Sequence, residues 1–287
     1  MSEISCPACT RLTPHQELYE KNGCVVRRCT TCGLGSAEPR DFQPEAYYTE
    51  DYFNGGHADG YSDYAGSEHV LRAEFARVVD VLKQHCPPGG RLLEIGSAYG
   101  FFLKEAQSSF DIHGIELAKD AVDACHRAGL QNVHQGVVDE DILARIGPVD
   151  AVVLLDVIEH LPDPFETLRL CNKILKPGGV ILITTGDFDA FMARLTGRHW
   201  RLMTPPQHLW YFSRMSFSHI ASSLALKMVA CTRPWKLVPL SLILFQIARM
   251  VGIDLKASSL TRSSRLGIPV NLFDAMRVVL RKPLSQG

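Results

Sequence analysis

The chain has 287 residues, 46% of them hydrophobic, and a formal net charge of −1. It is long enough to bury a large core and to carry a smaller appendage, and its balanced charge gives no reason to expect a nucleic-acid partner. The first ten residues are polar, so we expect no secretory signal. The cysteine count of nine is odd, which favours a reducing cytoplasm over a disulfide framework.

Four of the cysteines form two closely spaced pairs near the N-terminus. In chain order they are Cys6, Cys9, Cys29 and Cys32. A gap of two residues lets both thiolates of a pair reach one ion, and two such pairs make the closed four-thiolate site that is typical of structural zinc. Asn22-Gly23, between the pairs, predicts a hairpin turn. The sequence therefore predicts a structural zinc ribbon over residues 1–41, with no coordination position left open for catalysis.

Residues 42–85 are expected to form a linker and a first helix. The stretch from Tyr47 to His69 is rich in Tyr, Gly and Asp and has too few aliphatic residues for a core element. It is either a surface connector or a lid whose tyrosines cover a ligand. Ser67 is placed to cap the helix that follows. Its apolar stripe consists of Leu71, Phe75, Val78 and Leu82.

Apolar runs alternate with helical patterns from Arg91 onward. The strand candidates read RLLEIG, DIHGIEL, NVHQGVV, DAVVLLDVI and GVILITTG. The helices predicted between them include Phe101–Ser108, Lys119–Ala128 and Pro164–Leu175. Asp163 is the expected cap of the last helix, with Glu166 completing a capping box. This alternation predicts a doubly wound, parallel α/β sheet, whose ligands bind beyond the carboxyl ends of the strands.

The loop after the first of these strands, within LLEIGSAYGFF, has small residues that allow the backbone to approach a ligand. The second strand ends at Glu116, twenty-two residues after Glu94, where a carboxylate can accept hydrogen bonds from two ribose hydroxyls. A dinucleotide would share this feature, but the G-x-G-x-x-G spacing is absent, and the charge of Glu94 would repel a pyrophosphate. A nucleoside with a cationic, amino-acid-like end fits better, and S-adenosylmethionine is such a nucleoside.

Four motifs in order carry a resemblance to a known family: LLEIGSAYGFFL, HGIEL, DAVVLLDVIEHLPDP and LKPGGVILITT. Through them the chain resembles a class I S-adenosylmethionine-dependent methyltransferase, most strongly over residues 90–190. The resemblance implies a Rossmann-like, seven-stranded sheet in a domain over residues 86–287. It also implies that the last strand is antiparallel, and AMRVVLRKP is the candidate for it.

The resemblance also implies a set of cofactor-binding residues. In chain order they are Glu94, Gly96, Ser97, Gly100, Glu116, Leu117, Asp139 and Asp156. The first four are expected at the methionine portion, and Glu116 at the ribose. Asp139 is the nearest acid to the expected adenine position, and backbone amides near Val138 are the alternative. Asp156 is expected near both cofactor and substrate, or else as a loop acid bonded to backbone amides.

Asp156, Glu159 and His160 are expected at the mouth of the site. Methyl transfer needs an aligned nucleophile, and a hydroxyl nucleophile must lose its proton. In the family, Glu159 and His160 often orient the following loop. The D-x-x-E-H pattern also resembles the E-x-x-E-H ligands of some metal-dependent O-methyltransferases, which raises the alternative of a divalent ion held by these three residues.

His208 lies in HWRLMTPPQHLWYFS, after the fifth strand, where these enzymes usually build their substrate wall. A neutral imidazole there could serve as a general base near neutral pH, and the alternative is a histidine bonded to backbone in a proline-rich loop. The predicted catalytic residues are therefore His208 as base, with Glu159 and His160 shaping the site. His199 and Trp200 are weaker candidates.

An apolar segment from Leu237 to Val251 predicts a helix inside an insertion near 236–266. The segment is too short and too interrupted to span a bilayer. It covers the sheet or makes a homodimer contact, or alternatively it lies on a membrane surface. We expect a cytoplasmic protein, with contact at the inner face of the membrane as the alternative.

The predicted function is methyl transfer from S-adenosylmethionine to oxygen or carbon of a small molecule, a sugar or a lipid-linked glycan. An RNA methyltransferase is one alternative, since some of these pair a zinc module with this fold. Residues 1–41 hold five basic and five acidic residues, however, and no Asn-Pro-Pro-Tyr-like motif is present. A non-catalytic binding module is the other alternative, against which the intact cofactor set argues.

Overall fold

A computed structural model describes residues 2–39, 64–244 and 265–284. The N-terminal strands are β1 (Ser2–Cys6), β2 (Arg11–Lys21), β3 (Cys24–Cys29) and β4 (Gly35–Glu38). They pair antiparallel in chain order. Asn22 and Gly23 join β2 to β3 with φ angles of 51° and 76°, which is the left-handed geometry of a tight hairpin turn. The predicted hairpin is confirmed.

The strands of the central sheet follow. In chain order they are β5 (Arg91–Ile95), β6 (Asp111–Glu116), β7 (Val133–Gln135), β8 (Val149–Leu155), β9 (Leu175–Gly186), β11 (Lys227–Thr232) and β14 (Ala275–Arg281). The two-residue strand β10 (Trp210–Tyr211) belongs to the N-terminal sheet. Strands β12 and β13 form a separate pair that is described below. The order across the sheet is β11-β14-β9-β8-β5-β6-β7. Strand β14 runs antiparallel to both of its neighbours, and the other pairs are parallel. The predicted seven-stranded sheet with an antiparallel last strand is confirmed.

Helices cover both faces of this sheet. They are α1 (Glu68–Lys83), α2 (Phe101–Ala106), α3 (Lys119–Arg127), α4 (Glu140–Ile146), α5 (Pro164–Ile174) and α7 (Arg214–Ser223). The remaining helix, α6 (Phe191–Thr196), contributes Ala193 to an apolar cluster that it shares with the ribbon strands. One apolar cluster joins the sheet to α1, α2 and α3, and another joins it to α4, α5 and α7. Because both faces are buried, the central strands are almost wholly apolar, as parallel strands usually are.

The start of α5 shows how far the predicted caps hold. The carboxylate of Asp163 accepts hydrogen bonds from the amides of Phe165 and Glu166, so the predicted N-cap is confirmed. The side chain of Glu166 pairs with Arg169, one turn further on, instead of returning to the cap. The predicted capping box is therefore wrong. Ser67 occupies the N-cap position of α1 without making a side-chain capping bond.

The N-terminal sheet is joined directly to the larger domain. Strand β10 pairs antiparallel with β4, so that Trp210 lies opposite Ser36. Side chains of both parts share one apolar cluster, and Arg28 forms an ion pair with Asp189. The ribbon is therefore built into the same core as the central sheet.

The predicted C-terminal helix begins as a strand. Leu237 to Pro239 belong to β12 (Lys236–Pro239), which pairs antiparallel with β13 (Gly267–Val270). The prediction of a helix starting at Leu237 is therefore wrong. Residues 240–244 are helical, but the rest of the segment predicted to touch a membrane or a second copy lies outside the described residues, as does most of the tyrosine-rich linker. None of the helices in the described ranges is long and apolar enough to cross a membrane.

Candidate functional site

Two acidic side chains meet at the carboxyl ends of β5 and β6. Glu94 is only 3% exposed, and its Oε2 atom is buried without a hydrogen-bond partner among the described residues. The hydroxyl of Ser97, in the loop after β5, is in the same state. A buried polar atom without a partner is costly, so both atoms indicate a place where a polar ligand binds.

The electrostatics of this pair favour a cation. Burial, and then the nearby charge of Glu116, raise the pKa of Glu94 well above its ordinary value. Burial also raises the pKa of Glu116, although the amides of Ala118 and Ala98 donate to its carboxylate at 2.8 and 2.7 Å and oppose the shift. A ligand that brings a positive charge would stabilise both carboxylates in their ionised form. The two carboxylates therefore fit the amino-acid end and the ribose of a sulfonium nucleoside.

The glycines of the loop are required by packing. Gly96 and Gly100 have φ angles of 72° and 71°. A Cβ atom on Gly96 would lie 2.6 Å from Val157, and one on Gly100 would lie 2.4 Å from Leu130. The loop is thereby held close to the ends of the neighbouring strands, and its backbone stays open to a ligand.

The residues predicted at the ribose and adenine lie along the ends of β6 and β7. Leu117 follows Glu116 and is partly buried. The carboxylate of Asp139 accepts a hydrogen bond of 2.7 Å from the amide of Ile142 and caps α4, so this structure gives it a structural role, and its contact with adenine stays a prediction. Val137 is 57% exposed at this edge.

Asp156 directly follows β8 and has a φ of 55°, which is uncommon for a residue other than glycine. Its carboxylate accepts a hydrogen bond of 3.0 Å from the hydroxyl of Thr184 and pairs with the ammonium of Lys236 at 2.6 Å. Partial burial opposes ionisation, but Lys236 outweighs it, and the pKa of Asp156 lies below its ordinary value. The carboxylate is therefore already engaged by side chains.

The structure brings Glu159, His160 and His208 together. Glu159 and His160 lie in a 3-10 turn after β8, and the amide of Leu209 donates to the carbonyl of Glu159 at 2.9 Å. The imidazole rings of the two histidines meet edge to face, with 4.6 Å between their centres. One possible metal-ligating atom from each of the three side chains lies within 4.8 Å of the others. Asp156 is not in this group, so the predicted metal-ligand set that contained it is corrected.

The protonation of this cluster follows from its burial. Burial and the charge of Asp156 raise the pKa of Glu159 to about 8. Burial and the proximity of His160 lower the pKa of His208 to about 3. The Nδ1 atom of His208 lies 2.7 Å from the carbonyl oxygen of Leu202. His208 is therefore a neutral imidazole at pH 7, and it binds the second proton that would make it an imidazolium only weakly.

The aromatic residues after His208 belong to the core. Trp210, Tyr211 and Phe212 are all buried, and the indole of Trp210 donates to the carbonyl of Leu161 at 3.1 Å. The weaker candidate Trp200 is also buried and donates to Asp274 at 2.9 Å. These aromatic side chains are therefore part of the core, and a substrate wall that includes His208 stays a prediction.

The four predicted ribbon ligands converge at one point. The sulfur atoms of Cys6 and Cys32 lie 3.5 Å apart, and those of Cys9 and Cys29 lie 4.0 Å apart. All four lie within 4.8 Å of one another. A tetrahedral zinc ion with Zn–S bonds of about 2.3 Å requires sulfur separations of about 3.8 Å. The cluster has the dimensions of such a site.

Comparison with known proteins agrees with this geometry. A family profile described as a methyltransferase domain matches residues 67–230. The ubiquinone biosynthesis O-methyltransferase of Methylococcus capsulatus is 25% identical over 162 residues, which cover 53% of this chain and 68% of that protein. The enzyme of the same name from Xylella fastidiosa is 30% identical over 160 residues, which cover 52% of this chain and 64% of that protein.

The likeness is partial for other relatives, and the solved structures support the fold. The ubiquinone biosynthesis O-methyltransferase of Caulobacter sp. is 35% identical over 103 residues, but the match spans only 34% of this chain and 41% of that protein. A chain from a Haloferax volcanii complex containing the Trm112 methyltransferase activator superposes with a TM-score of 0.52 and 16% identity. That alignment covers 79% of this chain and 98% of the other.

Proposed function

The chain belongs to the methyltransferase domain family and is an S-adenosylmethionine-dependent methyltransferase, and on this premise we propose that it methylates a hydroxyl oxygen of a small molecule. The observation that carries the proposal is the pair of buried carboxylates, Glu94 and Glu116, at the ends of adjacent strands. The unpartnered Oε2 atom of Glu94 supports a cationic ligand there. The names of the matched relatives support an oxygen acceptor.

The cofactor contributes an electrophilic methyl group. Glu94 and Ser97 would bind its amino-acid end, because their buried polar atoms lack partners in the described chain. Glu116 would accept hydrogen bonds from the ribose. The backbone of the Gly96 and Gly100 loop would border the methionine portion. Leu117 and the backbone near Val138 would line the nucleoside, and Asp156 would face it from β8.

The acceptor would bind beside the same edge of the sheet, next to Glu159, His160 and His208. Glu159 is buried and the two histidines are half-buried, so water is excluded from part of this region, which favours a reaction between two aligned groups. The role of His208 as the base that takes the acceptor proton stays a prediction from the sequence. A sugar or a lipid-linked glycan remains an alternative acceptor class, and methylation on carbon an alternative reaction.

The ribbon ion belongs to the same proposal. Cys6, Cys9, Cys29 and Cys32 would hold one structural Zn²⁺ as four thiolates, which the sulfur separations support. A site with four protein ligands leaves no position for a water or substrate, so this ion would stabilise the fold.

Calorimetric titration of the full chain with S-adenosylmethionine tests the cofactor assignment. We expect saturable binding that weakens at least about tenfold in Glu116→Ala, because charge-assisted hydrogen bonds contribute about 1.5–3 kcal/mol. Asp120→Asn, a surface acid near the same edge, is the matched control and should bind as the wild type does. Unchanged affinity in Glu116→Ala would remove the ribose assignment. Transfer of labelled methyl groups to a panel of phenols, sugars and carbon acids then tests the acceptor class.

A further inference from the structure

We propose that Arg277, together with Lys236, binds a carboxylate group of the acceptor, so that the substrate is a hydroxyl compound that also carries one negative charge. The inference rests on the proposed function for the reaction, and on the charged side chains around β14 for the binding group. It names the class of acceptor that the site selects.

The side chain of Arg277 lies on the face of the central sheet that α1 covers. Arg277 is two residues before Val279 on β14, and Val279 belongs to the apolar cluster of α1, α2 and α3. Side chains two residues apart on a strand point to the same face. Across the strands, Arg277 lies opposite Thr184, whose hydroxyl donates to the carboxylate of Asp156 at 3.0 Å. Thr184 thus joins the position of Arg277 to the carboxylate that would face the cofactor.

The guanidinium of Arg277 is buried and incompletely paired. The residue is 8% exposed, and its Nε atom has no hydrogen-bond partner among the described residues. No carboxylate in the described ranges forms an ion pair with it. Burial lowers the pKa of Arg277, and the nearby charge of Glu74 opposes this shift only in part. A buried arginine is usually paired, so this group indicates a place where an anion binds.

The charges around Arg277 leave one positive charge without a counterpart. Glu74 and Arg77 are the charges that act on Arg277, and Lys236 also acts on Glu74. Lys236 pairs with Asp156 at 2.6 Å. Within this group of described residues, three cations share two carboxylates. The excess matches the single charge of a carboxylate better than that of a phosphate monoester.

Two other arginines near this end of the sheet do not change that balance. Arg201 pairs with Asp274 at 2.8 Å, and Arg233 pairs with Asp187. Each of these arginines therefore has its own carboxylate, and the unbalanced charge stays with the group around Arg277.

Glu74 does not fully satisfy Arg277. Its Oε2 atom accepts a hydrogen bond of 2.7 Å from the amide of Leu237 in β12, and it lies 3.5 Å from the guanidinium of Arg77. The carboxylate is thereby held by β12 and by its own helix. A carboxylate of the acceptor would compete with Glu74 for Arg277, so removal of the charge of Glu74 should strengthen binding of the acceptor.

The ion pair of Lys236 and Asp156 provides the access to this place. The side chains of these two residues are 29% and 48% exposed, whereas Arg277 is buried. A carboxylate that reaches the guanidinium of Arg277 would also approach the ammonium of Lys236. The hydroxyl of the acceptor would then lie toward Asp156 and the cofactor, and a molecule held at both ends is aligned for methyl transfer.

Ligand-observed NMR with benzoate and benzamide tests the site on the full chain in the presence of S-adenosylhomocysteine. The two probes have the same shape and differ in charge. We expect saturable binding of benzoate to the wild type and at least about tenfold weaker binding of benzamide, because hydrogen bonds between charged groups are the stronger ones. Phenyl phosphate should bind no more tightly than benzoate.

Variants locate the bound carboxylate. Arg277→Met should abolish the preference for benzoate over benzamide, and Arg277→Lys should retain part of it because the charge is kept. Arg281→Met is the matched control and should keep the full preference, since Arg281 is on the same strand but donates to His85 at 2.8 Å. Glu74→Gln should strengthen benzoate binding at least about threefold, because the competing negative charge is removed.

Three results would overturn the proposal. They are equal affinities of the wild type for benzoate and benzamide, a preference for benzoate that survives Arg277→Met, and weaker benzoate binding in Glu74→Gln, which would mean that Arg277 serves Glu74 alone. Tighter binding of phenyl phosphate than of benzoate would overturn the choice of a carboxylate. Circular dichroism and S-adenosylhomocysteine affinity on the same samples show whether each variant is folded. Should Arg277→Met fail to fold, the response of Glu74→Gln still decides.

Methyl-transfer assays separate this proposal from the proposed function. Transfer to neutral hydroxyl compounds as fast as to their carboxylated analogues would overturn the anion site and leave the proposed function standing. A chain that binds benzoate at Arg277 but transfers no methyl group to any hydroxyl compound would contradict the proposed function and leave the anion site standing.

Discussion

Glu94 lowers the stability of the cofactor-free protein because its side chain is arranged for ligand binding. It is a buried acid next to a second acid, Glu116, and its Oε2 atom has no partner among the described residues. Such an arrangement is unfavourable in the protein alone and becomes favourable when a cationic ligand binds. Strongly shifted carboxylates of this kind are typical of functional sites. We therefore expect one substitution of Glu94 to have opposite effects on the stability of the cofactor-free protein and on its affinity for the cofactor.

We expect Glu94→Gln to stabilise the cofactor-free protein at neutral pH and to weaken S-adenosylmethionine binding at least about tenfold. The folded-state pKa of Glu94 lies well above the ordinary 4.5. The folded protein therefore keeps a proton that the unfolded chain has released, and stability falls as the pH rises from about 4.5 through the folded pKa. A glutamine at position 94 does not ionise, so the variant does not lose stability in this way as the pH rises.

Thermal unfolding at a series of pH values, without cofactor, measures this effect. The melting temperature of Glu94→Gln should exceed that of the wild type at neutral pH and approach it near pH 4. A variant that is less stable than the wild type at neutral pH would show that Glu94 is already compensated in the free protein.

Gly100 gives a second prediction at a single residue. Gly100→Ala should lower the free energy of unfolding by about 1–3 kcal/mol, because its Cβ would lie 2.4 Å from Leu130 and its φ is positive. Gly129→Ala is the matched control, since its φ is also positive but no atom lies within 4 Å of the added Cβ. Urea denaturation compares the two variants. Equal losses would mean that the backbone angle matters and the packing against Leu130 does not.

At the scale of elements, the ribbon supports the segment that carries His208. Strand β10 is the last strand of the ribbon sheet, although it comes from the larger domain. His208 lies two residues before Trp210, which pairs with Ser36 of β4. Loss of order in the ribbon should therefore be transmitted to the acceptor side of the site, whereas the loop of Gly96 and Gly100 lies on other strands.

We expect Cys9→Ser, or removal of zinc by a chelator, to increase hydrogen exchange in residues 205–211. Methyl transfer should slow, because the segment holding His208 loses its neighbouring strand, while S-adenosylmethionine affinity should change little. Cys231→Ser, a partly buried cysteine outside the ribbon, is the matched control. If the zinc is lost but exchange in residues 205–211 is unchanged, the ribbon does not support this segment.

At the scale of the whole molecule, the net charge and the packing of the ribbon against the larger domain determine which partners the protein can bind. The net charge is −1, and the ribbon is joined to the central sheet by shared core and a shared strand. A ribbon that binds nucleic acid needs an exposed basic surface. In this protein, Arg27 pairs with Glu17 and Glu38, and Arg28 pairs with Asp189, so part of the positive charge of the ribbon is neutralised.

We therefore expect no salt-dependent binding of mixed-sequence RNA by the full chain, even at low ionic strength. Fluorescence anisotropy with a labelled RNA measures this, and the dissociation constant should stay above about 100 μM. The double variant Glu17→Gln and Glu38→Gln serves as a comparison, since it frees Arg27. A micromolar affinity of the wild type that falls steeply with salt would favour the RNA-methyltransferase alternative.

Much of the fold was predictable because its signals are local. Spacing within a few residues identified the cysteine pairs, the Asn22-Gly23 turn and the cap at Asp163, and the alternation of apolar runs with helical patterns predicted the doubly wound sheet. The positions of Glu94 and Glu116 followed from the ends of two strands. The sequence was less informative where a strand or helix could satisfy the same apolar pattern, as at Leu237.

The sequence by itself therefore determined the class of fold and the strand ends at which the cofactor residues are predicted to meet, because these depend on neighbours in the chain. Only the tertiary structure decided how the residues of the proposed acceptor side come together. His160 meets the segment of His208 across 47 residues, and Asp156 meets Lys236 across 80. Such pairs depend on how whole elements pack, since side chains so far apart in the chain are brought together by the core and by no local pattern.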